Sequence, residues 1–367
     1  MPEVAHIANS SQSRSIARDL RELTAGELEQ VVAAAGEAPY RARQVMRWLW
    51  AHNASSVDEM LEVPARLRQY LKEHFRISRL ELSHVACAAD GTRKLLLYLE
   101  DGAQIESVII PAQDRTTLCI SSQAGCGLGC QFCATARMGL VRNLAASEIL
   151  GQIIAAKSEC ATHQRLTNYV FMGMGEPLAN YERLSRALTT MTAPWGLAIS
   201  PRRITVSTVG LVPIIERLIS EFPVNLAVSL HATSDAVRDQ LAPINRRYPL
   251  SNLLDACRTL PLGRRSRITF EYVMLNGVND SAQDAIRLIQ MMAPLKCKVN
   301  LIFFNPFPGS RFQPSPRARV EDFQAILLRG NLTATIRESR GMDIAAACGQ
   351  LYAEKRAATG NGSGMHP

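Results

Sequence analysis

The 367-residue chain contains no run approaching 18 consecutive apolar residues, which excludes a hydrophobic helix that crosses a bilayer. Its opening residues, with Glu3, His6 and a Ser/Arg-containing stretch, lack the basic-then-apolar order of an export signal. A cytoplasmic protein with no membrane association is therefore expected. Internal repeats are absent as well. Cysteines occur at positions 87, 119, 126, 130, 133, 160, 257, 297 and 348. Nine, an odd and unevenly spread set, do not make an extracellular disulfide framework, and a reducing compartment fits them better. Acidic residues are outnumbered: 41 Lys and Arg against 33 Asp and Glu leave a net charge of +8. That excess suits a polyanion such as nucleic acid, or simply a basic enzyme. With 47% hydrophobic and 20% charged residues, the chain can bury a sizeable core. Its length predicts one large domain plus a smaller one.

Three of the cysteines, Cys126, Cys130 and Cys133, stand in a Cys-x3-Cys-x2-Cys spacing, with Gly125, Gly127 and Gly129 around the first two. Three thiolates cannot complete a structural zinc site, which takes four protein ligands. They suit a cubane iron–sulfur cluster with one iron left open to chelate a small molecule. The amine and carboxylate of S-adenosylmethionine would serve as that chelate. The alternative is zinc with a fourth ligand elsewhere, or three buried thiols.

Residues 1–18 are polar and aperiodic and read as a flexible lead-in. Residues 19–76 carry helical periodicity, with Leu28, Val31 and Val32 on one face before Gly36 and Pro39. A second helix bears Val45, Met46, Trp48 and Leu49, and two shorter helices follow at 55–60 and 64–75. Its arginines Arg41, Arg43 and Arg47 are candidate phosphate contacts in a helical accessory domain that binds RNA. So are Arg202, Arg203, Arg246, Arg247, Arg264 and Arg265. Residues 77–112 alternate in β fashion around Asp90-Gly91 and Asp101-Gly102 turns, a linking set of antiparallel strands. From 113 to 352 strands alternate with amphipathic helices. The strands expected are 117–121, 168–172, 203–207, 224–230, 267–273 and 299–304. Six such units predict an α/β fold with a parallel sheet, either a partial (β/α)6 barrel or a doubly wound sheet. Residues 353–367 read as a disordered tail.

Ligands of parallel β/α folds bind at the carboxyl ends of the strands, and polar motifs recur at those ends here. Cys126 follows the first strand, and Gly173-Met174-Gly175-Glu176-Pro177 the second. The glycines would let a ligand approach the backbone, and Glu176 would accept from a ligand ammonium. Ser207-Thr208, Ser229-Leu230-His231 and Asn305-Pro306 end later strands. Each has an ordinary structural explanation by itself; together they describe one ring around one cofactor.

The chain resembles the radical S-adenosylmethionine methyltransferases that methylate adenosine in ribosomal RNA, the RlmN/Cfr family. The resemblance runs from about residue 38 to 352 and rests on several motifs in order. They are Glu106-Ser107-Val108-Ile109-Ile110-Pro111, Leu118-Cys119-Ile120-Ser121-Ser122-Gln123, the cysteine triplet with Arg142-Asn143-Leu144, and Gly173–Pro177. Ser229-Leu230-His231-Ala232, Pro243-Ile244-Asn245-Arg246, Phe304-Asn305-Pro306 and Ala347-Cys348-Gly349-Gln350-Leu351 complete the set. Departures are small: Thr135-Ala136 replaces a frequent Thr-Gly, Leu140 a frequent Phe, and Thr233 a frequent Pro. The resemblance implies a radical-SAM partial barrel holding one [4Fe–4S] cluster on Cys126, Cys130 and Cys133. S-adenosylmethionine would lie against Gly175, Glu176, Ser207, Ser229, Leu230, His231 and Asn305. Cys348 would carry a methyl group, Cys119 would resolve the adduct and form a disulfide with Cys348, and Glu106 would accept the ring proton.

Adenine C2 is electron-poor and has no acidic proton, so simple methyl displacement fails there and a radical route is needed. By resemblance, one S-adenosylmethionine methylates Cys348 and a second generates the radical that activates the S-methyl group. The resulting carbon adds to the base and leaves a transient protein–RNA crosslink, which Cys119 opens by attack on the Cys348 sulfur. The implied substrate is an adenosine of 23S rRNA and, for some members, the adenosine 3′ of the tRNA anticodon. The implied electron donor is a flavodoxin or ferredoxin, and the chain is expected to be a monomer. Two alternatives remain: methylation of C8 of the same adenosine, and a non-catalytic RNA-binding protein with an iron–sulfur or zinc site.

Overall fold

The computed structural model describes residues 17–160, 164–263 and 266–353. Most of the expected lead-in and tail, and both Arg264 and Arg265, lie outside the described residues. The chain divides into two compact units, one ending at Ser78 and the other beginning at Arg79.

In the first unit, α1 (Ala25–Ala34) is capped at its start. Thr24 accepts from the Glu27 N–H while the Glu27 carboxylate takes the Thr24 N–H, a closed capping box. Leu28 and Val32, one turn apart, form its buried stripe. In α2 (Arg41–Trp50) Ala42, Val45, Met46, Leu49 and Trp50 are buried while Arg43 and Arg47 stay exposed. After a 3-10 turn at Val57–Glu59 comes α3 (Ala65–His74), and a two-residue parallel pairing of Arg18–Asp19 with Phe75–Arg76 joins the ends of the unit. Arg21 is buried beneath this pairing. Its guanidinium donates to the Ser78 carbonyl at 2.8 Å and to Asn53 Oδ1 at 3.0 Å.

The second unit is built on one ten-stranded sheet. Its strands are β1 (Glu81–Cys87), β2 (Arg93–Tyr98), β3 (Gln104–Pro111), β4 (Thr116–Cys119), β5 (Asn168–Phe171), β6 (Ile204–Thr208), β7 (Asn225–Ser229), β8 (Ile268–Met274), β9 (Cys297–Phe303) and β10 (Ala334–Arg337). Each strand pairs with its neighbours in sequence, so the order never reverses. A doubly wound sheet would reverse at a switch point. Single-direction winding is that of a barrel, here left open between β10 and β1.

The first three strands form the expected antiparallel meander, with Asp90 and Asp101 accepting from the N–H groups of Thr92 and Ala103 at the two turns. They do not stand apart: β3 pairs antiparallel with β4 and extends the same sheet. From β4 onward the strands run parallel. All six strands read from sequence are present. A seventh, β10, was missed because Ala-Thr-Ile-Arg offers one large apolar residue and no alternation long enough to register.

Side chains alternate between the faces of a strand, and the register sorts them sharply. Leu95, Leu97, Ile109, Leu118, Phe171, Val206, Val228, Phe270, Tyr272 and Leu301 point to one face and are buried. The crossover helices cover this face, for example α4 (Ala146–Ser158), with Ile149, Leu150 and Ile153 inward. The other face, hereafter the polar face, carries polar and charged strand residues among smaller apolar ones such as Val108, Val170 and Ala227. No helix of the described residues is long and apolar enough to cross a membrane.

Candidate active site

Register places four of the expected site residues, Glu106, Cys119, Ser207 and Ser229, on one face. Lys94 pairs with Val108, Val108 with Cys119, Cys119 with Val170 and Val170 with Thr205. Ser207 pairs with Ala227, and Ser229 with Glu271, Asn300 and Thr335 in turn. Paired residues share a face, as do residues two apart. Glu106, Cys119, Ser207, Ser229, Glu271, Asn300 and Arg337 therefore all project from the polar face. None of this is visible in the local pattern of any single strand.

The cysteine loop leaves β4 through a small hairpin, Gln123–Gly125 against Leu140–Asn143. Gly125 has φ +77°, and a Cβ there would strike the Gly139 carbonyl oxygen, so the close hairpin demands glycine. Beyond it the Cys126 N–H donates to Gly139 at 2.9 Å, and the Cys133 N–H to Cys130 at 3.3 Å. The three thiols sit close enough that Cys126 and Cys130 each feel the charge of Cys133. Burial pushes the Cys126 thiol up to about 11 and that of Cys130 well above its usual range. Metal binding at these positions must therefore displace protons.

At the end of β5, Glu176 is buried and bridges two strand ends. Its N–H donates to Gln123 at 2.8 Å, while its carboxylate accepts from Leu178 at 3.0 Å and from Val209, beyond β6, at 2.9 Å. Burial pushes its pKa up to about 7 despite these bonds. Gly173 and Gly175 also have a packing role. A Cβ on Gly173 would lie 2.8 Å from the Ile120 backbone, and one on Gly175 would lie 2.5 Å from Gln123. Glycine at both positions lets the loop seat closely on the β4 end.

Ser207 and Ser229 are partly exposed at the ends of β6 and β7. Leu230 is wholly buried and both its backbone groups are engaged, the N–H by Glu271 and the carbonyl by Arg238. His231 is held at φ +61°. Its Nδ1 accepts from the Val273 N–H at 3.1 Å, so the proton of the neutral ring resides on Nε2. Burial pulls the ring down to about 3. The Phe132 ring, one residue from Cys133, meets the imidazole edge-on at 4.4 Å.

The C-terminal segment closes the site. Ala134 N–H donates to the Gly349 carbonyl at 2.7 Å, Thr135 Oγ1 to that of Leu351 at 2.7 Å, and Gln350 to that of Pro306 at 2.9 Å. Asn305 Nδ2 donates to the Cys348 carbonyl at 3.1 Å, while its Oδ1 is buried without a partner among the described residues. Cys348 keeps accessible surface although protein crowds round it, and that crowding pushes its thiol up to about 11. Cys119 is buried, lies within electrostatic reach of Cys348, and is pushed up to about 12. Glu106 faces the same segment: Oε1 pairs with Lys94 at 2.9 Å and Oε2 accepts from the Tyr352 N–H at 2.9 Å.

Several side chains of this site carried no signal in the sequence. Lys94, Glu271, Asn300 and Arg337 sit in ordinary strand positions, and Arg238 in an ordinary short helix. Only pairing or burial marks them. Asn300 Nδ2 donates to Glu271 Oε1 at 2.9 Å, and the other Glu271 oxygen is buried without a partner among the described residues.

The donor set fits a cluster bound by three thiolates with one iron open, and the orphaned Asn305 Oδ1 is an acceptor awaiting a polar ligand. Among the described residues no three His, Cys, Asp or Glu side chains converge as ligands of a single ion must. Thiolates that each serve a different iron stand farther apart than that.

The radical SAM superfamily model matches residues 120–289, and the ribosomal RNA large subunit methyltransferase N-terminal domain model matches residues 18–77. The dual-specificity RNA methyltransferase RlmN of Anaeromyxobacter sp. (strain Fw109-5) is 51% identical over 342 residues, 92% of this chain and 91% of that protein. The protein of the same name from Desulfosudis oleivorans is 48% identical, covering 93% and 92%. A crystal structure of a radical SAM methyltransferase from Sphaerobacter thermophilus matches with a TM-score of 0.86 at 46% identity, covering 92% of this chain and all of that one.

Proposed function

Because the chain belongs to the RlmN family of radical S-adenosylmethionine RNA methyltransferases, we propose that it methylates C2 of an adenosine in 23S rRNA and of the adenosine 3′ of the anticodon in tRNA. Membership carries with it a [4Fe–4S] cluster and S-adenosylmethionine, which when bound supply a methyl group and a hydrogen-abstracting radical. Two molecules of S-adenosylmethionine would be consumed per turnover. Cys126, Cys130 and Cys133 would hold the cluster. Gly175, Glu176, Ser207, Ser229, His231 and Asn305 would line the S-adenosylmethionine pocket, with Leu230 supporting it from behind. A flavodoxin- or ferredoxin-type carrier would deliver the electrons to a monomeric enzyme.

The observation that carries this reading is that Cys348, from the far end of the sequence, lies within electrostatic reach of Cys119, while Glu106 on the neighbouring strand shares the face of Cys119 and accepts from Tyr352, four residues beyond Cys348. The Cys348 thiol, open to solvent, takes the methyl group and delivers its carbon to the base. Glu106 removes the ring proton, with Lys94 as its counter-charge, and the radical adduct gives up its unpaired electron to the oxidised electron carrier, leaving a closed-shell thioether crosslink. The Cys119 sulfur then attacks the Cys348 sulfur: the S–S bond forms, the carbon–sulfur bond breaks, and the carbon leaves with the electron pair and takes up a proton. Buried beside Cys348, Cys119 is protected from other electrophiles until the adduct forms.

The test is a denaturing gel of variants with labelled RNA and S-adenosylmethionine. Cys348→Ala should form no adduct. Cys119→Ala should accumulate a covalent protein–RNA complex, and turnover without a trapped complex would remove that thiol from the reaction. Mass spectrometry of digested product RNA reads the isomer, and 8-methyladenosine in place of 2-methyladenosine would overturn the C2 assignment.

A further inference from the structure

Behind the Ser229–His231 loop lies a guanidinium with no carboxylate against it among the described residues. Arg238, from the short helix Asp235–Leu241, has 0% exposure. Its Nε donates to the Leu230 carbonyl at 3.0 Å, and Nη2 to those of Val209 at 2.6 Å and Ser229 at 3.1 Å. Nη1 donates to Asn245 Oδ1 at 2.9 Å. All four acceptors are neutral. Asp235 and Asp239 stand one group farther away, each receiving an N–H from the Asn245 amide, at 2.9 and 2.6 Å. A charge buried this deeply without a direct counter-ion is costly to the fold.

The balancing charge lies on the other side. Of the negative groups acting on Arg238, Cys130 comes first, ahead of both aspartates. Arg238 is in turn the cation acting on Cys130. The cysteine loop is fastened to the same helix, since the Gln131 N–H donates to the Leu241 carbonyl at 2.9 Å. Asn245 belongs to the Pro243–Arg246 motif that the sequence singled out and the reaction leaves unused. Its amide separates the guanidinium from the two aspartates, so that they do not quench its charge directly.

We propose that Arg238 is a positioning residue joining the metal centre to the S-adenosylmethionine pocket: its charge is balanced by the thiolate-bound cluster at Cys130, while its N–H groups gather the carbonyls that follow the strands bearing Ser207 and Ser229. The proposal rests on the assignment of Cys130 as a cluster ligand. Two consequences follow from simple electrostatics. A buried cation beside an anionic cluster makes the cluster easier to reduce, because net charge and polar surroundings set its potential. Loading the cluster also relieves an uncompensated charge, which holds the Val209 and Ser229–Leu230 ends in place.

The test uses the full chain, reconstituted anaerobically. Iron content and the visible spectrum come first, and failure of the wild type to load a cluster would defeat the ligand assignment rather than the role of Arg238. With a cluster present, reduction is followed by electron paramagnetic resonance against applied potential. Arg238→Met should lower the reduced-to-oxidised ratio at the wild-type midpoint at least tenfold, ~59 mV for a one-electron couple. Arg238→Lys keeps the charge without the planar fork. It should stay within threefold of wild type in that ratio and lose S-adenosylmethionine affinity at least tenfold, measured on the unreduced protein. Asn245→Asp sets a carboxylate directly against the guanidinium with little change of volume, and should lower the ratio in the same direction even if the methionine variant fails to fold. A midpoint unchanged in Arg238→Met, or in Asn245→Asp should the former not fold, would overturn the proposal.

Discussion

The two faces of the sheet share every backbone atom and differ in almost everything else. On the helix side, Leu97, Ile109, Val206, Phe270 and Tyr272 are wholly buried and apolar, apart from polar groups that find partners, such as Ser107 donating to Gln152 at 2.6 Å. On the opposite side Glu106, Glu271, Asn300 and Arg337 interrupt the same strands at alternate positions. One face is organised by burial of area, the other by charge and reach. The face that stabilises the fold can change shape only at high cost, and the face that does the chemistry can change identity at low cost. Substitutions should therefore separate stability from activity according to face.

The largest contrast is expected at the metal ligands. Cys126→Ala, Cys130→Ala or Cys133→Ala should reduce S-adenosylmethionine cleavage to background while leaving the denaturation midpoint of the cofactor-free chain nearly unchanged. Cleavage retained by any of the three would break the division. Phe270→Ala, on the apolar face, should do the reverse and cost about 3–5 kcal/mol through a core cavity. Urea unfolding measures it, and a loss under 1 kcal/mol would mean that the helix-facing layer is less tightly packed than its burial implies.

A third effect joins the faces through pH. Glu176 titrates at about 7 in the cofactor-free fold against an ordinary 4.5. A folded pKa above the unfolded one contributes stability that is fully present below about 4.5 and lost as pH rises through 7. His231 runs the opposite way: lowered from 6.5 to about 3, its contribution is present above 6.5 and lost as pH falls toward 3. Glu176→Gln removes the first effect only. The variant should gain on the wild type by on the order of 3 kcal/mol between pH 4.5 and 7, read from paired urea titrations. A difference that does not change with pH would show that Glu176 is not desolvated as placed. The smallest effect is expected at Asn300→Ala, which strips Glu271 of its amide partner and should cost about 1–3 kcal/mol. A neutral result there would mean that water replaces the amide and that the polar face is wetter than it looks.

Much was legible beforehand because it is local. The Asp-Gly turns, six of the strands and the cysteine spacing depend on residues within a few positions of one another. The motif order brought in the family and with it Glu106, Cys119 and Cys348, which no local pattern would have joined. The direction of winding was not legible: periodicity finds strands without ordering them, and the unreversed pairing that separates an open barrel from a doubly wound sheet is long-range. The packing role of Gly173 and Gly175 was not legible, since a Gly-rich turn looks alike whether its missing side chain faces a ligand or a neighbour such as Gln123.

By itself the sequence determined the kind of chemistry. Three closely spaced thiols, a basic surface and an apolar–polar alternation are properties of residue type and spacing, and they survive any arrangement of the chain. The tertiary structure alone decided which polar residues share the face with them. Lys94 reaches Glu106, Asn300 reaches Glu271, and Arg238 lies behind the loop that begins at Ser229 only because strands far apart in sequence pair in one register. Shifting a strand by a single residue would turn each of its side chains to the opposite face. The register, fixed by burying the apolar face, is thus what gives the polar face its function.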